Sequence, residues 1–486
     1  MMNFKNKYFL YFLSGIFGIF ISSAQEKKLY EELYNSYEDF KETSIEKRRF
    51  SQSKIQPLID DFKRKENFQV RKVGESIEGR PLQLISMGKG DIDIFLWSQM
   101  HGDESTATMA IFDILNFLDS EYFSEEKETM LENVKLHFLP MLNPDGAQRF
   151  QRRNFLGVDI NRDALRLQSP ESKTLKKLRD SLEADFGFNL HDQSTYYNAE
   201  RTSKPATISY LAPAFNYKKS INDVRGAAMQ VIVQMNEILQ DYAPGQVGRY
   251  NDDFEPRAFG DNIQKWGTST ILIESGGYPN DPEKQEIRKL NFVSILTAVF
   301  SIAEGDYKNA DISKYEEIPN NDRKLYDLKL TGLTYKLLGK EFILDLGINR
   351  REVQYGEMDY YYDAYITDRG DLSTFFGYKE LDASGYKLID GKVYPETFQN
   401  LAELQQKNIS GILKEGYAYV TLSELPDEDF TELPINLVAE EFEIPENLQP
   451  DFFLQKDGEL EYAVINGFLV DFSQENNTVQ NALIID

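Results

Sequence analysis

The 486-residue sequence predicts an α/β protein whose mostly parallel or mixed central sheet carries helices on both faces, followed by an all-β accessory region. Two observations carry that expectation. Up to about Ala303, apolar strand-like runs alternate with segments of helical periodicity, the pattern of strands joined by crossover helices. Beyond Gly305 the runs are short, alternate with period two and are separated by Asp, Gly and Pro, which suits antiparallel strands.

Residues 1–24 stand apart from this fold. Lys5 and Lys7 precede the apolar run Tyr8–Ile21, which ends in Ser22, Ser23 and Ala24 before Gln25 and Glu26. That is the layout of a secretory signal cleaved after Ala24, and the run is short for a membrane span. The mature chain is therefore expected to be exported, periplasmic or extracellular, with no stable membrane anchor after processing. Residues 25–305 read as one domain that includes N-terminal helices, and 306–486 as the β-rich accessory domain.

From Lys27 to Asn67, Leu29, Leu33, Tyr37 and Phe40, then Ile55, Leu58, Ile59 and Phe62, recur at three and four residues and predict helix. Two strand candidates follow, QVRKVGESIEGRPLQLISMG and DIDIFLWSQM, separated by Gly88-Lys89-Gly90. A helix is expected over Ser105–Leu118, with Ala107, Ala110, Ile111, Ile114 and Leu115 as its buried stripe. VKLHFLPML reads as a strand running into the turn Asn143-Pro144-Asp145-Gly146. Strands ending at His191 and Glu274, with helices over 220–242 and Pro282–Ala303, complete the unit. In the accessory region DLKLTGLTYKLLG, EFILDLGIN, GYAYVTLSEL and ELEYAVINGFLVDF are strand candidates. The run YGEMDYYYDAYI is either a packed strand or a binding surface.

Composition narrows the partners. The 80 acidic and 54 basic residues give a net charge of -26, which argues against nucleic acid or an anionic membrane surface. There is no cysteine, so disulfides and thiol chemistry are excluded and any metal must be held by nitrogen and oxygen.

Only three histidines occur in the chain. His101 and Glu104 stand three residues apart, a spacing that puts both on one face of a helical turn and lets both reach one cation. His101, His191 and Glu274 each follow an apolar strand, and open α/β sheets gather their sites beyond the carboxyl ends of strands. A common pocket is the economical inference. His137, inside VKLHFLPML with no carboxylate at ligand spacing, reads as structural.

In order along the chain, HGDE, LNPDGAQRFQRRNFLGVDINRD, NLHDQ and ILIESGG resemble the signature of the zinc metallocarboxypeptidase family typified by carboxypeptidase A. VGESIEGRPLQLISMG is similar to that family's early strand pair. The resemblance spans roughly Phe68–Ala303. It implies one Zn²⁺ held by His101, Glu104 and His191, with a fourth position open for water. It also implies Glu274 as general base, Arg152 as stabiliser of the developing oxyanion, and Asn161 with Arg162 as the holders of a terminal carboxylate. Arg153 competes with Arg152 by adjacency. Tyr250 lies near the place of the family's mobile tyrosine, and the loop from Tyr250 to Trp266, with Arg257 and Phe259, is expected to line the specificity pocket. Asp103 is read as a helix cap, Glu104 as part of the first helical turn, and Asn143–Gly146 as the loop that delivers the arginines.

Three functions compete on this reading. The leading one is zinc-dependent release of a C-terminal amino acid from a peptide or other substrate with a free terminal carboxylate. The second is amide hydrolysis on peptidoglycan stem peptides by an exported amidase. The third is a non-catalytic peptide-binding protein, disfavoured because ligands, base and arginines are all present.

Overall fold

The structure, a computed structural model, describes residues 28–474 and 478–486, so the expected signal at 1–24 lies outside the described residues. The chain forms two compact units, divided between Asp322 and Arg323, with Arg201–Ser203 grouped with the second.

The first unit is built on an eight-stranded sheet. Its strands are β1 (Gln69–Glu75), β2 (Pro81–Gly88), β3 (Ile92–Ser98), β4 (Val134–Leu139), β5 (Phe186–Asp192), β7 (Ile208–Leu211), β8 (Val247–Arg249) and β9 (Ser269–Ser275). The two-residue strand β6 (Asn198–Ala199) pairs instead with β10 (Asn321–Asp322). The sheet order is β1-β2-β4-β3-β5-β9-β7-β8. The centre, β4 to β9, is parallel, whereas β2 runs antiparallel to β4 and β7 antiparallel to β9. The sheet is thus mixed. The first strand candidate folds as the antiparallel pair β1 and β2, turning at Ser76–Arg80, where Ser76 N donates to Arg80 O at 2.9 Å.

Around the sheet pack α1 (28–35), α2 (Gln52–Phe62), α3 (Thr106–Asp119), α4 (Ser124–Asn133), α5 (Pro144–Ala147), α6 (Pro170–Leu182), α7 (Asp223–Tyr242), α8 (Phe259–Lys265) and α9 (Gln285–Glu304). Strand alternation explains why both faces are covered. Ile94, Leu96, Phe188, Leu190, Ile271 and Ile273 join apolar residues of α3, α7 and α9 in one core. Phe95 and Trp97 join Leu82, Leu84, Leu175, Leu178, Phe259 and Ile263 in the other. Each such fully buried side chain contributes roughly 1.5–3 kcal/mol before entropy is counted.

The N-terminal stretch departs from the helix expected across Lys27–Asn67. Between α1 and α2 only Tyr37–Asp39 forms a short 3₁₀ turn. The backbone there answers to a buried ion pair instead. Asp113 of α3 accepts from Arg288 Nε of α9 at 2.7 Å, from Tyr37 Oη at 2.9 Å and from Glu42 N at 2.7 Å. Arg288 in turn donates to Ile45 O at 2.7 Å and Glu42 O at 3.0 Å. Backbone groups bonded this way are satisfied without helix.

Residues 306–322, read with the accessory domain, belong to the first unit. Tyr315 and Ile318 are buried in its larger core, and Ala212 N donates to Tyr315 Oη at 3.0 Å. The second unit holds a strand-rich sheet in which β11 (Leu325–Leu337), β12 (Lys340–Tyr355) and β13 (Asp359–Gly370) form a long antiparallel meander. β13, from the tyrosine-rich run, is its edge strand, and Tyr361 stacks on Phe430 with ring centroids 5.1 Å apart. A second, five-stranded sheet contains parallel pairs and sits beside two short helices, Leu401–Leu404 and Ile409–Lys414, so the unit is not purely antiparallel. Among the described residues no helix is long and apolar enough to cross a membrane.

Candidate metal centre

The parallel strands β3, β5 and β9 are neighbours, so their carboxyl ends open on one edge of the sheet. His101 stands just beyond β3, and His191 and Glu274 are register partners near the ends of β5 and β9. Glu104 arrives by a tight turn rather than a helical one. Its N–H donates to His101 O at 3.2 Å, and α3 begins only at Thr106 after Ser105. The cap position is therefore Ser105, and Asp103, whose Oδ1 is buried without a partner, does not cap the helix. The turn is possible because Gly102 lies against the Gly146–Ala147 backbone, where a Cβ would come within 2.1 Å of Gly146 C.

His101, Glu104 and His191 are buried, and their donor atoms lie within 4.8 Å of one another. Glu104 sits between the imidazoles, Oε1 at 2.7 Å from His101 Nδ1 and Oε2 at 2.6 Å from His191 Nδ1. Two imidazole nitrogens and a carboxylate converging in a water-poor site fit Zn²⁺, and three protein ligands leave a coordination position open. Behind His101, Asp159 Oδ1 lies 3.2 Å from Nε2, the arrangement that fixes a ligand imidazole's tautomer and orientation. Sequence reading left this residue unassigned. Its signal was the Asp two positions before Asn161.

Burial by itself would raise the Glu104 carboxyl, but His101 and His191 outweigh it and hold the group well below the usual carboxylate range. For His101, burial opposes charge while Glu104 and Asp159 favour it, and the imidazole is pushed up to about 9. His191 goes the other way, lowered chiefly by burial. Glu274 is raised well above the usual range, first by burial and then by the Glu104 charge.

The arginine-bearing segment is held in place by a buried acid. Asp145 accepts from Ser76 Oγ at 2.7 Å, Glu78 N at 3.0 Å and Arg80 at 2.6 Å, which ties the β1–β2 turn to the loop starting at Asn143. Asn143 Oδ1 accepts from Gly146 N at 3.0 Å, and its Nδ2 donates to Arg152 O at 3.3 Å. The two adjacent arginines then diverge. One guanidinium nitrogen of Arg152 reaches to 3.1 Å from His101 Nδ1 and 3.3 Å from Glu104 Oε1, while Arg153 donates to Gly157 O at 2.9 Å. Arg149 is occupied by Glu78 at 2.7 and 2.8 Å. Asp159 Oδ2 also accepts from Arg152, at 3.2 and 3.1 Å, so one carboxylate braces both His101 and Arg152.

Asn161 is half-buried and Arg162 exposed, both on a 3₁₀ turn that Asp159 caps. Asn161 Oδ1 accepts from Phe259 N at 2.9 Å, linking this turn to α8. Tyr250 is half-buried, with its phenol raised first by burial and then by the Glu274 charge. Tyr197, which sequence reading did not single out, packs edge-on against it with centroids 6.4 Å apart. Of the two pocket candidates, Phe259 is fully buried in the core beneath α8, and Arg257 is exposed and bonded to Glu255 at 3.1 Å.

Residues 55–222 match the zinc carboxypeptidase family model, Peptidase_M14. This stretch marks a domain similar to that family. This domain is similar to carboxypeptidase SOL1 of Arabidopsis thaliana, 33% identical over 126 residues that are 22% of this chain and 26% of that protein. It is also similar to mouse carboxypeptidase M, 26% identical over 108 residues, 19% of this chain and 24% of that protein. The chain thus spans about a quarter of the length of these two relatives. Among solved structures it is similar to a metallo-carboxypeptidase from Burkholderia cenocepacia, at 15% identity and TM-score 0.44, covering 53% of this chain and 70% of that one. Carboxypeptidase A from Helicoverpa armigera is similar at 16% identity and TM-score 0.43, covering 60% and 87%.

Proposed function

We propose that the protein is an exported zinc carboxypeptidase that binds one Zn²⁺ through His101, Glu104 and His191 and releases the C-terminal residue of a peptide. The observation that carries this reading is the convergence of those three donor sets within 4.8 Å beside Glu274, which the β5–β9 register pairs with His191. Export is supported by the lysine-flanked apolar run at the N-terminus.

When bound, zinc supplies Lewis acidity and lowers the pKa of water. Glu274 takes a proton from the attacking water and returns it to the leaving amine. Arg152, aimed at the ligand cluster, stabilises negative charge developing on the scissile carbonyl oxygen. Asn161 and Arg162 hold the terminal carboxylate, Arg162 through parallel guanidinium donors. Tyr250 is the residue that closes over the bound terminus.

The deciding experiment compares peptides ending in a free carboxylate with the same peptides amidated. Free acids should be cleaved far faster, and Arg162→Ala should erase most of the difference. Equal cleavage of both forms, or internal cuts, would defeat the carboxypeptidase assignment. Turnover confined to peptidoglycan stem peptides would keep the chemistry and change the substrate.

A further inference from the structure

Below the site, one buried side-chain carbonyl has no hydrogen-bond partner. Asn189 precedes His191 by two residues on β5, so strand alternation turns it to the same face of the sheet. It is 2% exposed and its Oδ1 accepts no hydrogen bond. Buried polar groups in native proteins are almost always paired, so an orphan amide calls for a ligand or another explanation. Its register partner on β3 is Trp97, whose indole Nε1–H is also buried without a partner. An acceptor and a donor are therefore both unmet on one patch of the sheet face.

The α8 helix packs over this patch. A Cβ on Gly260 would lie 3.1 Å from Asn189 Nδ2 and 3.6 Å from Pro213 Cγ. Glycine costs a helix about 1 kcal/mol relative to alanine, and here its backbone conformation does not require it. Its absent side chain lets the α8 backbone pack directly against the amide. The preceding residue, Phe259, donates its N–H to Asn161 at 2.9 Å, so the amide lies next to the turn that carries Asn161 and Arg162.

We propose that Asn189 floors the pocket for the substrate's terminal side chain and selects residues bearing a carboxamide or hydroxyl group. This rests on the carboxypeptidase reading above. Such side chains donate to Asn189 Oδ1 and accept from its Nδ2 or from Trp97. An aliphatic side chain of the same size leaves those groups unpaired, and sites of this kind discriminate by the loss of hydrogen bonds rather than by volume.

The test uses the zinc-loaded full chain and N-blocked peptides that differ only in the last residue, in the near-isosteric pairs Asn with Leu and Thr with Val. Wild type should favour the polar member of each pair by about tenfold or more in kcat/KM. Asn189→Leu should reverse the order in both pairs with Tm unchanged or raised, since it removes an unpartnered buried carbonyl. Gly260→Ala should slow the Asn and Leu peptides while sparing one ending in Gly. Equal rates within both pairs for wild type, or a polar preference that survives Asn189→Leu, would overturn the proposal while leaving the carboxypeptidase reading intact. Cleavage of none of the free-acid peptides would overturn both.

Discussion

Asp159 offers the sharpest test of how the site is braced. Its carboxylate accepts from His101 Nε2 at 3.2 Å, from Asn161 N at 3.0 Å and from Arg152 at 3.2 and 3.1 Å. Asp159→Ala removes all of these together. Loss of the partner behind a ligand histidine typically weakens metal binding 10- to 100-fold, or roughly 1.4–2.7 kcal/mol. The arginine half counts for less in stability, because the Arg152 side chain is 42% exposed and solvent screens it, leaving about 1 kcal/mol or under. Zinc affinity, rather than folding, should therefore carry most of the effect. Asp159→Asn separates the two roles, since a single carbonyl oxygen cannot serve both His101 and Arg152. It should bind zinc within about tenfold of wild type yet turn over more slowly at saturating zinc. Competition titration against a chromophoric chelator measures the first quantity, and steady-state kinetics with added zinc the second. An Asp159→Ala variant that holds zinc as tightly as wild type would refute the argument.

Three further outcomes follow from other parts of the chain. Glu274→Gln keeps the shape of the base but cannot accept a proton, so kcat should fall roughly 100- to 10,000-fold with zinc content unchanged, and near-normal turnover would remove the mechanism. Arg288→Ala leaves Asp113 buried without its counter-charge and should destabilise the first unit by about 3–5 kcal/mol in urea unfolding; a loss near zero would show that Tyr37 and Glu42 N suffice. In the second unit, burial raises the Asp451 carboxyl to about 6 despite its bonds from Asn466 N and Asn436. The folded state then holds a proton that the unfolded chain has released. Stability should therefore fall as pH rises from about 4 to about 6, by roughly 3 kcal/mol in all. Asp451→Asn should flatten that slope, and an unchanged pH profile would rule the residue out.

Much of the site was legible before any fold was known, and the reason is local. A strand that ends in an ionisable residue announces a pocket, because burying a charge at a sheet's edge is costly without a ligand or partner. His101, His191 and Glu274 carried that signal individually. The run from Asn143 to Arg162 carried it collectively, through an unusual density of arginine beside a strong turn. The sequence also showed where helices α3, α7 and α9 lie, since their apolar periodicity is long and regular.

What only the tertiary structure decided depends on contacts between residues far apart in the chain. Helical periodicity in residues 27–67 did not make a continuous helix, because Asp113 and Arg288, on α3 and α9, claim the backbone around Glu42 and Ile45. Strands β7 and β8, of four and three residues, are too short to show a pattern, yet β7 adds an antiparallel neighbour to β9 at the far side of the sheet from β2. His101 and Glu104 share a cation-sized space through a turn that Gly102 permits against the Asn143–Gly146 loop, not through a helix. Spacing to Gly157 and the DINR run favours Arg152 over its neighbour Arg153, but the contacts that part them, Asp159 with the first and Gly157 O with the second, belong to the folded loop. Asn189 looked like any polar residue in an apolar strand until folding buried its amide oxygen without a partner. Sequence thus determined which residue types end which strands, whereas the pairing of those ends, and hence which polar groups are satisfied and which are left for a ligand, is a property of the assembled sheet and the loops packed over it.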